Sequence, residues 1–86
     1  FGGEEFIVLL PDSDKQATCE KIERFREQVK FQKWQDVSVS ISFGVNTVTY
    51  FHEIGDIIIG ADRALYAAKR WGRDQVVHRE ALDEQN

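Results

Sequence analysis

Near its start the chain reads Gly2, Gly3, Glu4, Glu5, and then the apolar run Phe6 to Leu10. Glycines let a turn bring its backbone close to a ligand, and adjacent carboxylates are hard oxygen donors of the kind that hold Mg²⁺ on a phosphate substrate. By residue type alone, two neighbouring glutamates are more often a solvated turn than a metal site. The metal reading therefore needs support from elsewhere in the chain. His52 and His78 are not spaced as a metal pair and read as surface or loop residues. Cys19 has no sequence-near histidine to activate it, so a catalytic thiol is not expected.

The elements that must position this turn follow from hydrophobic periodicity. Phe6 to Leu10 is an unbroken apolar run closed by Pro11, the pattern of a strand buried on both faces. From Ser13 or Asp14 the pattern turns helical, with Ala17, Ile22, Phe25 and Val29 on one stripe, Glu20 and Arg24 outside it, and an end near Phe31. Val37, Val39, Ile41, Phe43 and Val45 alternate strictly with Ser38, Ser40, Ser42 and Gly44, which predicts a strand over 37–45. Its small-residue face admits either a closely packed helix backbone or solvent. Ile54, Ile57, Ile58, Ala61, Ala64, Leu65 and Ala68 recur at helical spacing up to Gly72, a natural residue just past a helix end. A last strand from Gln75 to His78 or Arg79 precedes a polar tail expected to fray.

Composition bounds the answer. A chain of 86 residues makes at most one small domain, and its single cysteine forms no internal disulfide, in keeping with a reducing compartment. The 11 basic and 15 acidic residues give a net charge of −4, which argues against a DNA-binding or RNA-binding module. No stretch is apolar enough to span a membrane, and the start carries no secretion signal.

Three segments together resemble one family. GGEEF at 2–6, SVSISFGV at 38–45 and ADRALYAAKRWGRDQV at 61–76 are similar to the signature, central strand and last helix of GGDEF domains, the diguanylate cyclases. The match in order and spacing covers nearly the whole chain. It implies an α/β (α+β) fold: the C-terminal half of a nucleotidyl-cyclase or palm-like domain, with order strand-helix-strand-helix-strand in a mostly antiparallel sheet packed by helices. Residues 1–79 would form that half domain and 80–86 the tail.

The family condenses two GTP molecules into cyclic di-GMP in a homodimer of facing domains, each 3′-hydroxyl attacking the other's α-phosphate. The resemblance implies that Gly2 and Gly3 form the hairpin turn against the nucleotide. Glu4 would be the ligand for Mg²⁺ or Mn²⁺, and Glu5 a second catalytic carboxylate beside it. Lys69 and Arg73 would contact the triphosphate. The helix C-terminal dipole alone would also account for cations there, and both explanations stand at this level. Arg70 reads as a surface charge. Asp62 and Tyr66 belong to the shared string, which the packing of Ile57, Ile58, Ala61, Leu65 and Ala68 explains, and no catalytic role is expected of them; Trp71 reads as buried rather than stacked on a base, as does Trp34. Asp74 stands where many members carry Asn, an exchange expected to change little. GTP as substrate implies a cytoplasmic protein.

The family's first strand, with its metal-binding Asp and phosphate loop, would precede Phe1, so the 86-residue chain alone is expected to be inactive. Two alternatives are a non-catalytic GGDEF-like module that binds nucleotide or regulates a neighbour, and a small dimerisation module without chemistry. Because the family's first strand lies between those matching Phe6–Leu10 and Val37–Val45, the isolated chain is expected to associate, as a strand-exchanged dimer or with the missing half, ahead of a third outcome in which those two strands collapse together. Light scattering behind size-exclusion chromatography checks this expectation. A compact, cooperatively melting monomer overturns it.

Overall fold

A computed structural model of the chain describes residues 10, 13–32, 37, 39–47 and 53–85. The expected strand Phe6–Leu10, apart from Leu10 itself, and the Gly2–Glu5 turn lie outside these residues.

Helix α1 runs from Lys15 to Phe31 and starts where the sequence predicts. The Asp14 carboxylate accepts from the Ala17 N–H at 2.8 Å, and the Asp14 carbonyl takes the first helical bond, from Thr18, at 2.9 Å. Strand β1 covers Phe43–Val45, helix α2 Ile54–Arg70, strand β2 Val76–His78, and a 3₁₀ helix closes the chain over Arg79–Gln85. Strand β1 is shorter than the alternating run 37–45 because β2, three residues long, pairs it only at Phe43↔Val76, Gly44↔Val77 and Val45↔His78. Burial fades away from that pairing: Val45 is buried, whereas Val39 and Val37 are exposed.

The pairing is parallel, where the family resemblance led us to expect a mostly antiparallel sheet. The connection explains it. Parallel neighbours need a crossover that returns the chain to the starting edge, and α2, with 17 residues, supplies that return. At 1.5 Å per residue it is about 26 Å long.

The helices lie on opposite faces of the two strands. Phe43 meets Phe25 of α1 edge to face, with centroids 6.2 Å apart. Gly44, pointing the other way, faces α2. A Cβ at Gly44 would overlap the Leu65 N and Ala61 O atoms and lie 2.7 Å from Leu65 Cα. Of the two readings of the small-residue face, the packed helix backbone is therefore the one realised at Gly44. Ala64, Ala67 and Ala68 of α2 form the core with Val77, flanked by Ala81 and Leu82.

Two expectations change here. The buried face of α2 is Gly60, Ala64, Ala67 and Ala68: of the expected stripe Ala64 and Ala68 are buried and Ile57 is half-buried, whereas Ile54 and Ile58 are exposed. Close approach to a strand selects the smallest side chains, which a pattern weighted by hydrophobicity ranks too low. The tail is also ordered as a 3₁₀ helix, anchored by Ala81 and Leu82 against the core.

His78, expected at the surface, is buried in β2 with 6 % exposure. Its Nδ1 accepts from the Glu80 N–H at 3.1 Å, which places the ring proton on Nε2, 2.6 Å from Thr47 Oγ1. Burial pushes the imidazole below its ordinary value, and the Glu80 charge opposes that only in part. An unfolded chain thus takes up this proton before the folded one does. The stability that His78 contributes is present above the ordinary histidine value and is lost as the pH falls through the lowered native one.

Two measurements check this architecture. Gly44→Ala should cost about 3 kcal/mol, because a methyl group must push a helix backbone off the strand. Urea melts read that loss, and an unchanged midpoint would refute the contact. The melting temperature should fall from about pH 7 to about pH 5, and His78→Gln, whose amide can keep both hydrogen bonds, should flatten that slope.

Candidate functional site

Of the six residues expected at the site, the described structure contains Lys69 and Arg73. Gly2, Gly3, Glu4 and Glu5 lie outside it, so no distance relates the acidic turn to the cations. Among the described residues, no group of three metal-ligating side chains occurs.

Lys69 is exposed in the last turn of α2, and Arg73 is exposed two residues past the helix cap, Trp71. The helix ends as the sequence predicts. Gly72 adopts φ 119°, and the Arg73 N–H folds back onto the Ala68 carbonyl at 2.9 Å, the long bond of a Schellman cap. The two cations therefore share one end of α2, but Arg73 stands off the helix rather than on its next turn. Trp71, expected to be buried, is 43 % exposed beside them. Tyr66 and Asp62 are exposed too, and the Arg70 guanidinium lies 5.7 Å above the Tyr66 ring. Neither residue packs in the core.

The next residue carries more than the sequence suggested. Asp74 follows Arg73 in the left-handed region, with φ 51° after Arg73 at 63°. Its N–H donates to Ser42 Oγ at 2.9 Å. Its carboxylate accepts from Arg26 Nη1 at 2.5 Å and from Lys30 Nζ, both on α1. Glu23 grips the same guanidinium from the other side, taking Arg26 Nε at 2.9 Å and Nη2 at 2.6 Å. Lys30, then Arg26, holds the Asp74 carboxyl below the usual carboxylate range, and Arg26 does the same for Glu23. An Asn at this position would offer one acceptor oxygen and an NH₂ group to two cations, so the exchange is not the neutral one expected. Nothing local marks these partners, which lie 44 and 48 residues away.

Other polar features lie elsewhere. An open depression of about 560 Å³, lined by Lys15, Asn46, Asp56, Arg63, Arg79 and Glu80, is at the far half of α2 from Lys69 and Arg73. Its Lys15 and Arg79 are engaged by Glu80 and Asp83. Burial raises the Cys19 thiol, which keeps it protonated and a poor nucleophile.

The described elements form a parallel strand–helix–strand unit of the α/β class, with Lys69 and Arg73 exposed where its helix ends. Residues 1–75 match the family described as diguanylate cyclase, GGDEF domain, and the chain belongs to that family. It is 40 % identical over 81 residues to diguanylate cyclase DgcP of Pseudomonas aeruginosa, covering 88 % of this chain and 12 % of that protein. It is 35 % identical over 81 residues to diguanylate cyclase DosC of Escherichia coli, covering 88 % and 18 %, and 36 % identical to diguanylate cyclase A of Treponema denticola, covering 88 % and 22 %. The chain thus spans less than a quarter of the length of these relatives. No solved structure matches it. Among the described residues, no helix is long and apolar enough to cross a membrane.

Proposed function

We propose that this chain is part of a diguanylate cyclase that joins two GTP molecules into cyclic di-GMP in the cytoplasm. In that reaction each 3′-oxygen forms a bond to the other nucleotide's α-phosphorus, and each broken phosphoanhydride releases pyrophosphate. Two domains, each holding one GTP, face each other as a homodimer. The observation that carries the reading is the coincidence of an intact Gly2-Gly3-Glu4-Glu5-Phe6 signature with residues 61–75 of the helix string in one continuous family match. The relatives' names support the same activity.

The assigned roles follow from the chemistry of each group. Gly2 and Gly3 let the turn lie against the nucleotide, where a Cβ would intrude. The oxygen donors of Glu4 suit Mg²⁺, or Mn²⁺, which when bound spreads the charge that develops on the phosphate. Glu5 supplies a second carboxylate beside that position. Lys69 and Arg73 hold the triphosphate. A helix C-terminus carries partial negative charge and repels phosphate, so an anion bound at this end requires cations that outweigh the dipole. The exposure of both side chains at one helix end supports their assignment.

Glu4→Ala in the full-length protein should lower cyclic di-GMP formation by about 100-fold or more, the usual effect of losing a charge-stabilising group. Arg73→Ala should instead raise the KM for GTP. Product quantified by chromatography decides the matter: unchanged turnover after Glu4→Ala rules out the catalytic assignment.

A further inference from the structure

We propose that Asp74 is a positioning residue for Arg73, and that helix α1 reaches the nucleotide-binding end of α2 through the Arg26–Asp74–Lys30 clamp. The proposal rests on the reading of Arg73 as a triphosphate-binding cation.

The backbone sets the problem. After Gly72, two consecutive residues with side chains, Arg73 and Asp74, have φ of 63° and 51°. Each such residue costs on the order of 1 kcal/mol or more, and the conformation persists only where surrounding contacts determine it. On the helix side, the Arg73 N–H is held by the Ala68 carbonyl at 2.9 Å. On the other side Asp74 is the anchor, held from both neighbouring elements.

Its N–H is bound to Ser42 of the segment leading into β1, and its carboxylate to Arg26 and Lys30 of α1. Arg26 Nη1 also reaches the Asp74 carbonyl at 3.3 Å. The clamp is more than a pair of surface charges. The Arg26 side chain is 13 % exposed, and its guanidinium is fixed by the two-point contact with Glu23. Ion pairs with this geometry and a shared network are the ones that contribute measurably.

Lys69 and Arg73 differ in this respect. The helix itself orients Lys69. Arg73 has left the helix, so the direction of its side chain depends on the turn that Asp74 holds. Loss of the clamp should therefore act on the Arg73 contact and leave the Lys69 contact alone. Arg26 and Lys30 belong to α1, so their effect travels through Asp74 rather than by contact with the nucleotide.

The test measures binding of a non-hydrolysable GTP analogue with Mg²⁺ to the full-length protein by calorimetry, with thermal melts run alongside. Arg73→Ala should weaken binding. Asp74→Asn should weaken it about tenfold, the scale of a misplaced contact, and should add nothing in the Arg73→Ala background while adding fully in the Lys69→Ala background. Lys30→Gln removes one arm of the clamp and should give a smaller loss in the same direction, which Lys30→Arg restores. That pair keeps the test decisive if Asp74→Asn fails to fold. If Arg73→Ala weakens binding and neither Asp74→Asn nor Lys30→Gln does, the clamp proposal is overturned while the role of Arg73 survives. If the losses at 73 and 74 add, the coupling is absent and the proposal is overturned again. If Arg73→Ala binds as well as the wild type, the reading of Arg73 falls and takes the proposal with it.

Discussion

The close approach of α2 to β1 at Gly44 is the contact from which the rest of the described structure follows. With no side chain between them, the helix backbone at Ala61 and Leu65 lies directly on the strand, and Ala64, Ala67 and Ala68 of the same helix form the core with Val77. This distance sets the layer. It brings the helix end back beside the start of β1, so that the turn after Gly72 can reach Ser42 and β2 can pair with Phe43. A wider separation would break the parallel register and the turn together, because both span the same gap.

The second helix is held differently. Helix α1 contains no fully buried residue, and Phe25, which packs on Phe43, is itself half exposed. No α1 residue belongs to the buried core of Ala64, Ala67, Ala68 and Val77. Directional polar contacts then matter more for how α1 sits. Glu23, Arg26 and Lys30 fall on one side of the helix at spacings of three and four; Arg26 and Lys30 converge on Asp74, and Glu23 holds the Arg26 guanidinium from the other side. The same carboxylate that orients the helix also holds a strained turn. Fold and candidate site therefore share one group.

That sharing gives the two accounts of Lys69 and Arg73 a common physical basis. Cations at the end of α2 offset its dipole whether or not a ligand is bound. What distinguishes Arg73 is that it lies beyond the helix, in a backbone conformation the dipole does not require.

By itself the sequence determined what depends on near neighbours. The Asp14 cap, the extent of both helices, the stop at Gly72 and the glycine-rich acidic signature were all legible, since each rests on residues within a turn or two. The alternation ending in Gly44 even carried the close helix contact as one of two readings. Tertiary structure decided what depends on distant partners. The parallel register of Phe43 with Val76, the burial of His78, the rotation of α2 onto its alanines and the Asp74 clamp each join residues far apart in the chain. Periodicity reports which side chains share a face. Which face wins, and which charge finds which, is settled only when strand and helix backbones meet at a given distance.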